Sequence, residues 1–184
     1  MNLSIIKDIA ERSLKFDNRP SDLKELIRRP ESFKYYNFLS MLAKEFNPEL
    51  IIELGTNQGV SALHFRFGNP NSRIISIDIK QPEKVQKELL RNQIGCIEMD
   101  SVKAAEKIGA PIGILFIDSL HTYEHVKNEY FAFLPKMAKP GIILLDDIFL
   151  DDQMRQAWDL IVHYDKIAIP ELHPTTGFGI VLIK

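Results

Sequence analysis

Leu50-Ile51-Ile52-Glu53-Leu54-Gly55-Thr56-Asn57-Gln58-Gly59 is the stretch on which the fold turns. Its first five residues, four of them aliphatic, run without polar alternation, the pattern of a strand buried on both faces of a parallel sheet. Gly55 permits a tight turn and lets a ligand approach the backbone closely, and Gly59 lets the next helix pack against the strand. That helix is expected at once, over residues 60–67. The spacing is E-x-G-x-x-x-G, not the G-x-G-x-x-G of dinucleotide enzymes. Asn57 stands where the second glycine would be, and Glu53 at the strand end would repel a pyrophosphate.

Working outward, strands and helices alternate. Residues 73–79, 96–99, 112–117 and 141–145 read as strands two to five. Helices are expected over 83–92 and 101–108, and over a segment whose Tyr123, Val126, Tyr130 and Phe133 share one face. Met154, Ala157, Trp158, Ile161 and Val162 follow the i, i+3, i+4, i+7, i+8 stripe of an amphipathic helix. Residues 166–169 and 179–183 form two more strands around a Pro/Thr/Gly-rich turn, an antiparallel hairpin. The expected fold is α/β: a Rossmann-like three-layer sandwich, with a seven-stranded, mostly parallel sheet ending in a C-terminal antiparallel hairpin. Before the sheet, residues 3–14 have helical spacing, a short helix over 23–29 is stopped by Pro30, and another covers 31–45. Residues 1–47 are expected to form a helical cover or lid, or a dimer surface, with Phe33, Tyr35 and Tyr36 available to it. Residues 48–184 form the Rossmann-like domain.

Bulk properties narrow the class. The 184 residues suffice for a sizeable core, and 45% hydrophobic with 26% charged residues is an ordinary globular balance. A formal net charge of −2 gives no basic field for nucleic acid, and Arg28-Arg29 reads as a solvated helix end. No apolar run approaches the length of a membrane span, and residues 1–16 lack a signal-peptide core. The single cysteine, Cys96, precludes an intrachain disulfide and reads as a small hydrophobe. A cytoplasmic location is the expectation.

In open α/β sheets, ligands bind at the carboxyl ends of the strands. Those ends carry Glu53 to Gly59, Asp78, Asp100, Asp118 to Tyr123, and Asp146-Asp147. So many acids are too many for a phosphate pocket; they suit hydroxyls, amines, a positive centre or a divalent cation. Asp78 can accept bonds from two ribose hydroxyls, although an acid at a strand end also caps helices.

With this set in order, the chain resembles the class I S-adenosylmethionine-dependent methyltransferase superfamily over roughly residues 48–184. Within it, the sequence is similar to the branch of cephalosporin-hydroxylase-like and macrolide-sugar O-methyltransferases. The stretches that carry the resemblance are Ile51 to Ser61, Phe116 to Glu124, and Lys139-Pro140-Gly141 through Asp147. Pro140-Gly141 replaces the double glycine common there, a detail of the turn. The resemblance implies that the glycine turn (Glu53, Gly55, Thr56, Asn57, Gly59, Ser61) holds the methionine end of S-adenosylmethionine. It places the ribose on Asp78, and the adenine near Asp100 and Ser101, with Asp118 at the same cofactor site.

Asp118, Asp146 and Asp147 should converge where strands four and five end side by side. Three carboxylates there repel unless protonated or bridged, and hard oxygen ligands suit Mg²⁺. In similar metal-dependent O-methyltransferases these positions carry the metal ligands; the competing reading is a helix cap or a solvated pair. His121, three residues after Asp118, is placed to take an acceptor's proton. The sugar O-methyltransferases have a histidine at this spacing and the catechol-type enzymes a lysine; the competing reading is a histidine that orients a loop. His64, His125, His163 and His173 read as structural or solvated, His125 on the exposed side of its helix, and Tyr123 as a core residue. The expected function is methylation of a small-molecule hydroxyl, with N-methylation open and a homo-oligomer compatible. The alternative is a silent cofactor-binding or scaffold module, which the retained carboxylates and His121 argue against. A nicotinamide dehydrogenase is disfavoured by Asn57 and by the antiparallel hairpin.

Overall fold

A computed structural model describes residues 1–25, 34–109 and 111–184. The sheet has seven strands in the order β3-β2-β1-β4-β5-β7-β6. They are β1 (Leu50–Leu54), β2 (Arg73–Asp78), β3 (Ile94–Glu98), β4 (Ile112–Ile117), β5 (Met137–Asp146), β6 (Asp165–Ala168) and β7 (Phe178–Ile183). The first five pair in parallel; β7 inserts antiparallel between β5 and β6, as expected of the hairpin. Chain order reverses beside β1, which pairs with both β2 and β4, and that switch point opens a crevice above the strand ends.

The alternation of side chains along each strand divides the core in two. Ile51, Ile74, Ile114, Phe116, Ile142, Leu144 and Ile180 face one layer. That layer contains α1 (Leu3–Lys15), α3 (Tyr35–Phe46), α4 (Val60–Gly68) and α5 (Glu83–Arg91). Ile52, Ile75, Leu115, Ile143 and Val181 face the other, formed by α6 (Ser101–Ala104), α7 (Tyr123–Phe133) and α8 (Asp152–Leu160). A further short helix, α2 (Ser21–Glu25), has no buried residue.

The N-terminal helices share the core of the sheet. Ile6 and Ile9 of α1 and Phe38, Leu39 and Leu42 of α3 are fully buried in the first layer. Asn37 donates to the carbonyls of Ser13 (2.6 Å) and Phe16 (2.7 Å), satisfying acceptors that the end of α1 leaves open. Arg12 bridges α1 to Glu45 of α3.

Several boundaries differ from the sequence reading. Strand β5 begins four residues earlier than Gly141, because Met137 already pairs with Ile112. Helix α8 ends at Leu160, so Val162 leaves the apolar stripe and is exposed, whereas Trp158 is buried. The 101–108 segment is four α-helical residues followed by a 3₁₀ turn. Strand β3 starts at Ile94, leaving Cys96 only half-buried. The short helix begins at Ser21, not Leu23; its expected end at Arg28-Arg29-Pro30, the start of the next helix at Glu31, and Phe33 lie outside the described residues. Among the described residues no helix is long and apolar enough to cross a membrane.

Candidate active site

The glycine turn is fixed by what lies beneath it. Gly55 has φ +95°, and a Cβ there would stand 1.9 Å from the Asp118 carbonyl oxygen, so only glycine fits between β1 and the end of β4. Its N–H donates to the Ile77 carbonyl (2.8 Å), and the Asp118 N–H to Leu54 (2.9 Å), binding three strand ends together. Asp78 accepts from the backbone N–H groups of Thr56 (2.8 Å) and Asn57 (3.2 Å).

Glu53 lies below, fully buried. The hydroxyls of Ser61 and Ser76 donate to its two oxygens, and burial pushes its carboxyl pKa up to about 7. Thr56 Oγ1 contacts Ser76 Oγ (2.7 Å) and accepts from Gln81 Nε2 (2.6 Å), completing the network. Glu53, Thr56 and Ser61 are thus interior supports of the turn and do not line the crevice. Gly59 is also buried, its would-be Cβ 2.8 Å from Leu89 of α5, a close helix contact.

The crevice is a cavity of about 550 Å³, within the range of small-molecule sites. Gly55, Asn57 and Asp78 line it from the first two strand ends; Asp100, Ser101, Asp118, Ser119 and His121 line it from the next two. Of the expected cofactor residues, Gly55, Asn57, Asp78, Asp100, Ser101 and Asp118 therefore meet at one cavity. Ile79 and Leu120 add apolar walls, and His125 completes the lining. His125 does not sit on the exposed side of its helix, because its Nε2 turns inward to buried Glu129 (3.1 Å).

At the β4 and β5 ends, the three aspartates are sorted into two groups. Asp118, His121 and Asp147 form one, with donor atoms within 4.8 Å of one another. His121 Nε2 lies 3.5 Å from Asp118 Oδ1 and 3.3 Å from Asp147 Oδ2; it is buried and makes no well-formed hydrogen bond to either. Asp146 belongs to the other group, with Asp147 and His173. It is buried, accepts from His173 Nδ1 (2.7 Å) and from the Asp147 N–H (2.9 Å), and is turned from the cavity. Thr176 donates to Asp147, whose backbone is left-handed at φ +56°.

Electrostatics follow from this crowding. Burial, then the charge of Asp146, raises the pKa of Asp118. Asp146 is raised by burial despite the opposing hydrogen bond from His173. The nearby Asp118 carboxylate, foremost, and the charges of Asp147 and Asp146 raise His121 against its own partial burial. For His173, burial pulls down, but Asp146 and its neighbours together prevail and raise the pKa. His64 is unrelated: it is buried against Tyr36, its ring bonds the Val60 carbonyl, and burial lowers its pKa to about 4. Two carboxylates and an unpartnered imidazole nitrogen at one point form a donor set that a divalent cation or a transferred proton would satisfy.

Sequence reasoning missed His173, Thr176, Ser119, Gln81 and the His125–Glu129 pair. Only the last had a local signal, an i, i+4 spacing on one helix face.

A family model described as a methyltransferase domain matches residues 52–148, just over half of the chain and all of the cavity-lining segments. No curated protein matches the sequence. Among solved structures, the chain is similar to the O-methyltransferase TomG from Streptomyces achromogenes in complex with SAM. The TM-score is 0.73 at 15% identity, over 96% of this chain and 95% of that one. It is also similar to the SAH-bound methyltransferase PaMTH1 from Podospora anserina, with TM-score 0.71 at 14% identity over 100% and 97%. The O-methyltransferase from Bacillus cereus in complex with SAH gives TM-score 0.65 at 16% identity over 98% and 91%. At such identities these likenesses establish the fold. The family match, lying over the glycine turn and the acidic strand ends, adds the kind of protein: the chain belongs to the methyltransferase-domain family, with the class I Rossmann-like fold.

Proposed function

We propose that this chain is an S-adenosylmethionine-dependent O-methyltransferase acting on a small-molecule hydroxyl, with His121 as general base. The observation that carries the reading is the buried, unpartnered His121 Nε2, set between the Asp118 and Asp147 carboxylates at the edge of a cavity walled by Gly55, Asp78 and Asp118. S-adenosylmethionine supplies a methyl group already activated on sulfur. The residues here need only bind the two reactants in line and accept one proton.

In this reading Asp78 receives the ribose hydroxyls, while the backbone of Gly55 and Asn57 faces the methionine end. Asp100 and Ser101 border the base. The acceptor hydroxyl approaches from the His121 side; its proton would pass to the imidazole as its oxygen bonds the methyl carbon and the methyl–sulfur bond breaks, releasing S-adenosylhomocysteine. Both carboxylates stabilise the resulting imidazolium. Asp118 and Asp147 would also hold a divalent cation such as Mg²⁺, which would lower the acceptor hydroxyl's pKa. Asp146, committed to His173, supports Asp147 from behind instead of acting as a third ligand. Exposed Leu120 and Leu150 flank this region in the chain and suit an acceptor with an apolar body.

The test is calorimetric titration with S-adenosylhomocysteine, with and without Mg²⁺, of the wild type and of Asp78→Ala. Micromolar binding by the wild type that is lost in Asp78→Ala is the expected result. No binding by the wild type under either condition removes the cofactor assignment and the catalytic scheme with it.

A further inference from the structure

A fully buried carboxylate, Glu129 on α7, sits behind one end of the cavity. It accepts from Ser101 Oγ (2.5 Å) and from Ser119 Oγ (2.7 and 2.8 Å to its two oxygens); His125 Nε2 lies 3.1 Å from it and bonds the same Ser101 Oγ (3.2 Å). Ser101 follows β3 and Ser119 follows β4, so one side chain ties together the two loops that wall this end. A buried carboxylate with two converging hydroxyl donors and an imidazole beside it is a costly arrangement to maintain unless it fixes something.

It fixes the imidazole one helical turn away. His125 lines the cavity beside Ile79, Asp100 and Ser101, with its side chain 22% exposed. The Ser101 hydroxyl gives its one hydrogen to Glu129 and can only accept from the ring, so the hydrogen of the neutral imidazole is held on Nε2 and Nδ1 is left as an acceptor. Nδ1 has no hydrogen-bond partner among the described residues. A fixed acceptor at this place calls for a donor on the ligand. Resting on the S-adenosylmethionine reading of the cavity, we propose that His125, oriented by Glu129, accepts from the 6-amino group of the cofactor's adenine and so selects adenine over a 6-oxo purine. Ile79, largely exposed and apolar, adds an apolar wall to the same cavity.

The charged groups that face the ring are Glu129, on its own helix, and Asp100, from the loop after β3. Both raise the His125 pKa, Glu129 first, so the selective neutral form is best examined at about pH 9, well above the ordinary imidazole range.

The experiment compares S-adenosylhomocysteine with S-inosylhomocysteine, in which a carbonyl oxygen replaces the 6-amino group, by calorimetry on the full chain. The wild type should prefer the adenosyl compound by about tenfold or more, since the oxo analogue sets one acceptor against another. In His125→Ala the preference should fall to about twofold or less. Glu129→Gln should weaken it too, because an amide no longer dictates which ring nitrogen carries the hydrogen; a thermal melt checks that this variant folds. A tenfold preference retained in His125→Ala overturns the proposal and leaves the role to Asp100. A wild type that binds both compounds equally also overturns it, while leaving the cofactor reading intact. Failure of the wild type to bind either compound overturns the cofactor reading itself.

Discussion

Replacing Glu53 by glutamine probes the support beneath the glycine turn. Glu53 is fully buried, and the loss of solvation lifts its pKa from 4.5 to about 7 even though two serine hydroxyls donate to it. A carboxyl whose folded pKa lies above its unfolded value binds its proton more tightly in the native state. Its contribution to stability is therefore full below pH 4.5 and is lost as pH rises through 7. At about 1.4 kcal/mol per pH unit across that interval, the loss comes to about 3 kcal/mol by pH 8. Glutamine has nearly the same shape and does not titrate. Urea or thermal unfolding of both proteins from pH 5 to pH 8 isolates the effect. The histidines and Asp118 and Asp146 titrate in both proteins, so their contributions cancel in the difference. The stability of Glu53→Gln relative to the wild type should climb by about 2.5 kcal/mol over this range, a relative gain of about 5–10 °C in Tm. Its offset at pH 5 reports how well the new amide finds partners and does not bear on the slope. A difference that stays flat with pH would refute the reasoning, since it would mean that Glu53 is ionised throughout and that the hydroxyls fully replace water.

Gly55→Ala should destabilise the fold by at least about 3 kcal/mol, because it sets a Cβ 1.9 Å from the Asp118 carbonyl at a φ of +95°; a wild-type melt would mean the turn has room that the geometry denies. His121→Ala should cut the rate of methyl transfer by about 10²–10⁴-fold while leaving S-adenosylhomocysteine affinity within about twofold, measured by single-turnover kinetics and calorimetry. Full turnover in that variant removes the base assignment. Exhaustive chelation should lower activity and added Mg²⁺ restore it; activity unchanged by chelation removes the cation from the scheme but not the base.

The sequence alone determined the architecture and the strand ends that form the site. Runs such as Leu50 to Leu54 and Ile112 to Ile117 could be read because a strand covered on both faces must be continuously apolar. The glycines and acids directly after them then fall on one edge, since parallel strands all end on the same side. Gly55, Asp78, Asp100 and Asp118 were legible for that reason, and they do meet at one cavity. The sequence did not say which way each acid faces. Glu53 and Asp78 share one face of the sheet, yet Asp78 stands two residues beyond Ser76, the partner of Glu53, and so reaches the crevice while Glu53 is buried beneath it. Asp146 and Asp147 are adjacent, yet Asp147 turns to His121 and Asp146 to His173.

His173 was hidden because its partner is 27 residues away and no local spacing marks it. It reaches Asp146 only because β7 runs antiparallel beside β5, which brings the turn before β7 over the end of β5. Glu129 was likewise indistinguishable from a solvated helix residue until the loops after β3 and β4 closed over it. Local patterning records which residues shun water, and so the sequence determines elements and their order. The pairing of polar groups across elements depends on three-dimensional register, and only the tertiary structure decides it.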